Sequence, residues 1–260
     1  MITFRESNIK LALKNLFLRR NKNLLVIEPR FGLGDSIVCN GIVRELVKSK
    51  KYKSIYFVCP NQKNYHTIAW MFLDIANVYV LAGQSGRQAR QFSGFLNSEY
   101  LGLGVKNIES HFDDWDQYFY DQANVPLIKR WESSYIAEGP NSSKLYEKLN
   151  PQNEEYILVC RHQSGGIPYE LNIQNPNNLK TIEVYPASNN FFDWIKLINN
   201  AKEIHTIDTS LIHLVESHFN QNPKKSYSLF LHLANVPKVG FTTKLPWTEI
   251  HYLNQQIFDQ

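Results

Sequence analysis

Three short stretches of this sequence hold side chains whose types and spacing could do chemistry. Gly32-Leu33-Gly34-Asp35 follows the apolar run LLVIE (24–28) and leads into an amphipathic stretch, Ser36 to Ser49. Asp208-Thr209-Ser210-Leu211-Ile212-His213 ends the run EIHTID (203–208) and opens another amphipathic stretch. Arg161-His162 follows EYILVC (155–160), with Gly165-Gly166 just beyond. A turn from strand to helix aims free N–H groups and the positive end of a helix dipole at one point, which suits a phosphorylated ligand. Gly32 and Gly34 can let backbone approach such a ligand and can take positive φ. Asp35 falls at a helix start, where a carboxylate serves as a cap or as a base. Thr209 and Ser210 can cap the second helix, and His213, three residues after Ser210, shares its face. The plainer alternatives are a capping role for Asp208, a core position for His213, and a solvated loop for Arg161 and His162.

The elements that must hold these residues follow from the hydrophobic pattern. Strands are expected at 24–28, 54–60, 77–83 and 99–104, with helices at 36–49 and 65–75 and in SGRQARQFSGF, where Ser85 is a candidate cap. The pattern restarts with strands at 155–160, 181–186, 203–208 and 249–254. A helix is expected in NNFFDWIKLINNA and another from 209 through Phe219. YSLFLHLA (227–234) reads as helix or strand, and 163–180 reads as a long polar loop where a helix would be expected. Such alternation calls for parallel sheets joined by right-handed crossovers. The expected fold class is α/β, with two Rossmann-like domains whose parallel sheets face a cleft. The domains are placed at 1–150 and 151–260.

Composition narrows the classes. The 260-residue chain is 43% hydrophobic and 20% charged, so it can build a sizeable core. Its net charge of +4 suits an anionic ligand but forms no concentrated basic stripe, so a dedicated nucleic-acid partner is not expected. The three cysteines, Cys39, Cys59 and Cys160, are odd in number and widely spaced. That fits a reducing, cytoplasmic setting and neither a disulfide framework nor a metal site. No run approaches the roughly 20 apolar residues of a membrane span. NIKLALKNLFLRR reads as a basic helix with Ile9, Leu13, Leu16 and Phe17 on one face. It suits packing on its own domain or peripheral docking at the inner face of a membrane.

Two motifs, one in each half, carry a resemblance. F-GLGDSIVCNGIVRELVKS resembles the opening of the ADP-heptose:lipopolysaccharide heptosyltransferase family, glycosyltransferase family 9. NNFFDWIKLINNAKEIHTIDTSLIHLVESH resembles the second signature of that family, with Ser210 in place of the usual glycine. The resemblance implies a GT-B-like fold and metal-independent, inverting transfer of a sugar from a nucleotide sugar to a glycan or lipid-linked acceptor, with no further cofactor. Asp35 matches the proposed general base, and Asp208, Ser210 and His213 match donor-contacting positions. The chain is shorter than typical members, and the family's diphosphate-binding lysine has no match, so Arg161, His162 or Lys180 stand as substitutes. Two alternatives remain. One is a nucleotide-sugar epimerase using the region Glu109 to Asp116 with His111. The other is a non-catalytic nucleotide- or glycan-binding protein of the same fold.

Overall fold

The computed structural model describes residues 23–30, 32–59, 61–82, 86–106, 111, 113–163, 166–222 and 227–252. The basic N-terminal helix, the Ser85 cap and Gly165 lie outside the described residues. The chain divides into two compact units, Met1–Ser134 and Tyr135–Gln260. Residues 135–150, which the sequence pattern assigned to the first half, therefore belong to the second. The reason is packing: the helix Ser142–Leu149 lies against Phe191–Trp194 and Ile195–Asn200.

The first unit is built on a parallel sheet of strands β1 (Leu24–Pro29), β2 (Ser54–Cys59), β3 (Val78–Ala82) and β4 (Glu99–Leu103), in the order β3-β2-β1-β4. β1 is buried along its whole length, as expected of a central parallel strand. Helices α1 (Leu33–Val38) and α2 (Asn40–Lys48) follow β1, α3 (Tyr65–Met71) precedes β3, and α4 (Gly86–Leu96) connects β3 to β4. The expected helix over 36–49 starts earlier and breaks at Cys39. There the Tyr120 hydroxyl donates to the Val38 carbonyl at 3.0 Å. A Cβ on Gly41 would lie 2.3 Å from the Lys129 carbonyl oxygen, so the residue lets the backbones of α2 and α6 (Lys129–Glu132) meet. Arg130 of α6 forms a fully buried ion pair with Asp116 of α5 (Trp115–Gln122).

The second unit holds a parallel sheet of β5 (Tyr156–Cys160), β6 (Lys180–Glu183), β7 (Glu203–Thr206), β8 (Ser228–Leu233) and β9 (Thr248–His251), ordered β6-β5-β7-β8-β9. Its helices are α7 (Ser142–Leu149), α8 (Ile195–Asn200) and α9 (Ser210–Gln221). The ambiguous run 227–234 is a strand. It pairs with β7 and β9, and His232 joins His205 at 2.9 Å and the Tyr252 hydroxyl at 2.7 Å. Burial pushes the His232 pKa down to about 4, so the ring is neutral at ordinary pH.

No helix forms among the described residues of two crossovers, 161–179 and 234–247, so side chains must satisfy their backbone. Glu216 of α9 does this for the second. Its fully buried carboxylate accepts the N–H groups of Lys244 and Leu245, each at 3.0 Å, and the Trp247 indole N–H at 2.7 Å. Glu216→Ala would leave these donors without their acceptor. Denaturant titration of the full chain is expected to show a loss of about 3 kcal/mol. A loss of a few tenths would mean that the segment is held by other contacts.

Candidate functional site

Parallel strands all end on one side, and a ligand crevice forms there where the strand order reverses. In the second unit the reversal lies between β5 and β7, with Cys160 in register with Thr206. Arg161-His162 and Asp208-Thr209-Ser210 leave these two strand ends, so the structure brings the two sequence-predicted groups together. The Ile207 N–H extends the pairing to the Cys160 carbonyl at 3.2 Å. The Thr209 hydroxyl lies 3.5 Å from that of Thr206 and 3.7 Å from the Cys160 sulfur.

Thr209 is the N-cap of α9, with its side chain accepting the Leu211 N–H at 3.3 Å. Asp208 is held through its backbone: the Asn235 amide accepts its N–H at 3.3 Å and donates to its carbonyl at 3.1 Å. Ser210, the first helical residue, keeps some solvent contact. His213 is buried and meets the Phe241 ring edge-on, 4.5 Å between centroids. Arg161 reaches Glu183 on β6 at 2.8 Å, while its Nε and the His162 Nδ1 are buried without hydrogen-bond partners. Gly166 takes positive φ, +80°, in the turn after Gln163. Lys180 is not part of this edge. It is the first residue of β6, at the opposite end of the sheet, and pairs with Glu154 at 3.2 Å.

In the first unit the reversal lies between β1 and β4. Gly32 has an extended backbone, φ −97°, rather than the positive φ expected, and Gly34 and Asp35 are already helical. The need for glycine at 32 is steric. A Cβ there would lie 2.9 Å from Asp35 Oδ2, which accepts the Gly32 N–H at 2.8 Å. Asp35 thus reaches back from the third helical position and fastens the helix start. Burial raises its pKa against the lowering effects of that hydrogen bond and of Arg30.

Sequence reading missed a second group at this edge. A pocket of about 500 Å³ is lined by Glu28, Gly86, Arg87, Arg90, Gln91 and Val105. Glu28 is buried and accepts the Tyr100 hydroxyl, while Arg90 Nε approaches the same hydroxyl at 3.5 Å. A Cβ on Gly86 would lie 2.3 Å from Glu28 Oε1, so glycine admits the carboxylate to the start of α4. The available signal was a carboxylate near the end of an otherwise apolar central strand. His111 and Asp114 approach at 3.4 Å, with His111 stacked on Tyr118. Asp116 is engaged by Arg130, and Glu109 lies outside the described residues. Among the described residues no cluster of three or more His, Cys, Asp or Glu could hold a metal ion. No described helix is long and apolar enough to cross a membrane.

Two units of this kind, each a parallel sheet flanked by helices, define an α/β protein of the GT-B-like class. The fold is that of the crystal structure of a glycosyl transferase family 9 protein from Veillonella parvula DSM 2008. That match has 9% identity and a TM-score of 0.55, over 90% of this chain and 87% of that one. A weaker likeness, TM-score 0.40 at 12% identity over 88% and 90% of the chains, is to E. coli heptosyltransferase WaaC with ADP. No protein-family model and no curated protein matches the sequence.

The raised Asp35 pKa has a consequence for stability. Below the ordinary aspartate value of 3.8 the carboxyl is protonated in both folded and unfolded chains and costs nothing. As pH rises past that value the unfolded chain ionises first, so the wild type loses stability until the folded carboxyl has ionised too. Asp35→Asn keeps an acceptor for the Gly32 N–H and should be more stable than wild type at neutral pH. Thermal midpoints should converge on acidification; a difference independent of pH would separate it from ionisation.

Proposed function

We propose that this protein is a glycosyltransferase that moves a sugar from a nucleotide sugar to a hydroxyl of a glycan or lipid-linked acceptor. The observation that carries the reading is that the two motifs fall at the order reversals of two parallel sheets. They do so within a fold shared, over 90% of the chain, with a glycosyl transferase family 9 structure. The reading gives the second unit the donor. The open N-terminus of α9 at Ser210 faces the diphosphate, and His213 stays in place as the packed base of the turn. Arg161 adds positive charge, in competition with Glu183.

The first unit supplies the base. The Asp35 carboxylate takes the proton of the acceptor hydroxyl as that oxygen bonds to the anomeric carbon. The bond from that carbon to the diphosphate oxygen breaks, and the nucleoside diphosphate leaves with the electron pair. Attack opposite the leaving group inverts the anomeric centre. The reading assigns stabilisation of the leaving charge to helix dipole and N–H groups, with no metal ion or other cofactor. Burial favours Asp35 as a base by raising its proton affinity toward working pH. A nucleotide-sugar epimerase finds less support, since Asp116 is engaged in a buried ion pair.

The test pairs binding with turnover. Nucleoside diphosphates and sugar nucleotides at millimolar concentration should raise the thermal midpoint of the wild type by mass action. Ser210→Glu places an anion at the first turn of α9, where it suits the helix but repels phosphate, so the midpoint should hold and the ligand response should vanish. Asp35→Asn should keep the response and lose transfer by about 10²-fold or more. Absence of any nucleotide response in the wild type would overturn the reading. A response without turnover toward any acceptor would favour a binding protein of this fold.

A further inference from the structure

One face of the second sheet carries titratable side chains that the proposed transfer does not use. Residues two apart in a strand share a face. The register sets His205 opposite Phe230 and His232 opposite Ile250, so Glu203, His205, His232 and Tyr252 fall on one face. Their hydrogen bonds run in a line. Glu203 Oε2 lies 3.2 Å from His205 Nε2, His205 Nδ1 lies 2.9 Å from His232 Nε2, and His232 Nδ1 lies 2.7 Å from the Tyr252 hydroxyl. That hydroxyl accepts the N–H of Asn172, from the crossover 161–179, at 3.0 Å. Both rings are buried.

The line admits one order of hydrogens. A carboxylate only accepts, so His205 Nε2 carries a hydrogen. Burial lowers the pKa of both histidines, that of His232 to about 4, so each ring is neutral and holds one hydrogen. His205 Nδ1 is then a bare acceptor and His232 Nε2 its donor. His232 Nδ1 is bare in turn and accepts the Tyr252 O–H. One hydroxyl thus donates to the buried pair and accepts from the crossover.

The crossover depends on that hydroxyl at its middle. Near its start the Tyr169 N–H meets the Arg161 carbonyl at 2.9 Å, and near its end Asn175 holds Leu179. Between these, among the described residues, 170–174 reach another element by the hydrogen bond from Asn172 alone. Other charges near the line are accounted for. Arg161 and Glu183 share the sheet face and pair with each other at 2.8 Å. Glu249 and His251 alternate to the opposite face. On the crossover, Glu170 is exposed and His162 bridges to Pro168. Lys224, Lys225 and Asp259 lie outside the described residues. Charge there would shift the pH at which the rings take a proton without changing the order of hydrogens.

Each ring can take a second hydrogen only at Nδ1. At His205 it would face the His232 N–H, donor against donor. At His232 it would leave a buried imidazolium against the Tyr252 hydroxyl, which must turn its own hydrogen away. If Tyr252 leaves instead, water reaches the ring, and its pKa returns toward the ordinary 6.5. We infer that this line is an acid-sensitive latch on the crossover: when the histidine pair takes a proton, Tyr252 leaves His232 and Asn172 is released with it. Above pH 6.5 closed and open forms are both neutral, so pH has no effect. From 6.5 down to about 4 the open form takes a proton that the closed form refuses, so opening grows about tenfold per pH unit. The crossover leaves β5 at Arg161-His162, so acid loosens the arm beside the Asp208–Ser210 turn. The latch does not depend on the proposed transferase activity.

The test is NMR on the ¹⁵N-labelled full chain. At neutral pH both rings should carry hydrogen on Nε2 alone, and the Asn172 amide should exchange more slowly than its intrinsic rate. That protection should hold above pH 6.5 and fall about tenfold per pH unit below it, while the amides of β5 keep theirs. Tyr252→Phe keeps the ring and drops the hydroxyl, so Asn172 should lose protection at neutral pH with β5 unchanged. The latch is overturned if either ring carries hydrogen on Nδ1 at neutral pH, or if Asn172 is unprotected there. It also fails if Asn172 protection does not fall on acidification, if the β5 amides fall in parallel, as for general loosening of the unit, or if Tyr252→Phe protects Asn172 as wild type does.

Discussion

The constraint on which both units depend is the single reversal of strand order in each parallel sheet. Successive connections leave the strands on opposite sides at that point, and the carboxyl ends of two neighbouring strands stay uncovered. In the first unit β1 and β4 meet there, and in the second β5 and β7 do. Everything chemically notable at these edges, Glu28, Asp35, Arg161 and the Asp208–Ser210 turn, is placed by the reversal rather than by proximity in sequence. Lys180 shows the converse. It lies on a strand next to β5, but at the strand's start, and so faces the wrong end.

A second theme is how the chain manages with irregular crossovers. Backbone groups outside helices still need partners, and asparagine side chains supply them in pairs. The Asn175 amide donates to the Leu179 carbonyl and accepts its N–H, both at 2.8 Å. Asn150 does the same for Glu154, and Asn235 for Asp208 across the sheet edge. Among the described residues asparagine also fills four of the five non-glycine positions with positive φ, at 97, 124, 153 and 178. Its short polar side chain tolerates the left-handed region. Glu216 is the strongest instance of the same device, one carboxylate standing in for the hydrogen bonds of a missing helix.

Legibility followed the range of the determining interactions. β1, β2, β5 and β7 are apolar runs of strand length, and their places could be read directly. So could the turn into α9, because Thr209 caps locally. The run 227–234 stayed ambiguous, because its strand state depends on pairing with β7 and β9 and on the contact between His232 and His205. The domain boundary was misplaced because α7 is assigned by its packing on α8, which no local pattern records. The pocket around Glu28 was invisible for the same reason. Its residues lie at 28, 86–91 and 105, and only the order β3-β2-β1-β4 collects them. At Gly32 the residue type was informative, but positive φ, one of the two causes offered, is not adopted: glycine there makes room for the Asp35 carboxylate.

The carboxylate at Gly32 also removes an apparent conflict of roles. A capping aspartate and a basic aspartate look like competing readings of Asp35, but they engage different atoms. Oδ2 accepts the Gly32 N–H and holds the side chain in one orientation. In the proposed transfer Oδ1 is the oxygen that takes the proton, while Oδ2 keeps its bond to the Gly32 N–H. The cap alone would lower the proton affinity of the group, and burial alone would raise it; burial dominates. A side chain fixed by one oxygen loses little freedom when the other engages a hydroxyl, which is the preorganisation that the proposed role as general base would use. The helix start at Leu33 and the absent Cβ at Gly32 are both conditions for that orientation.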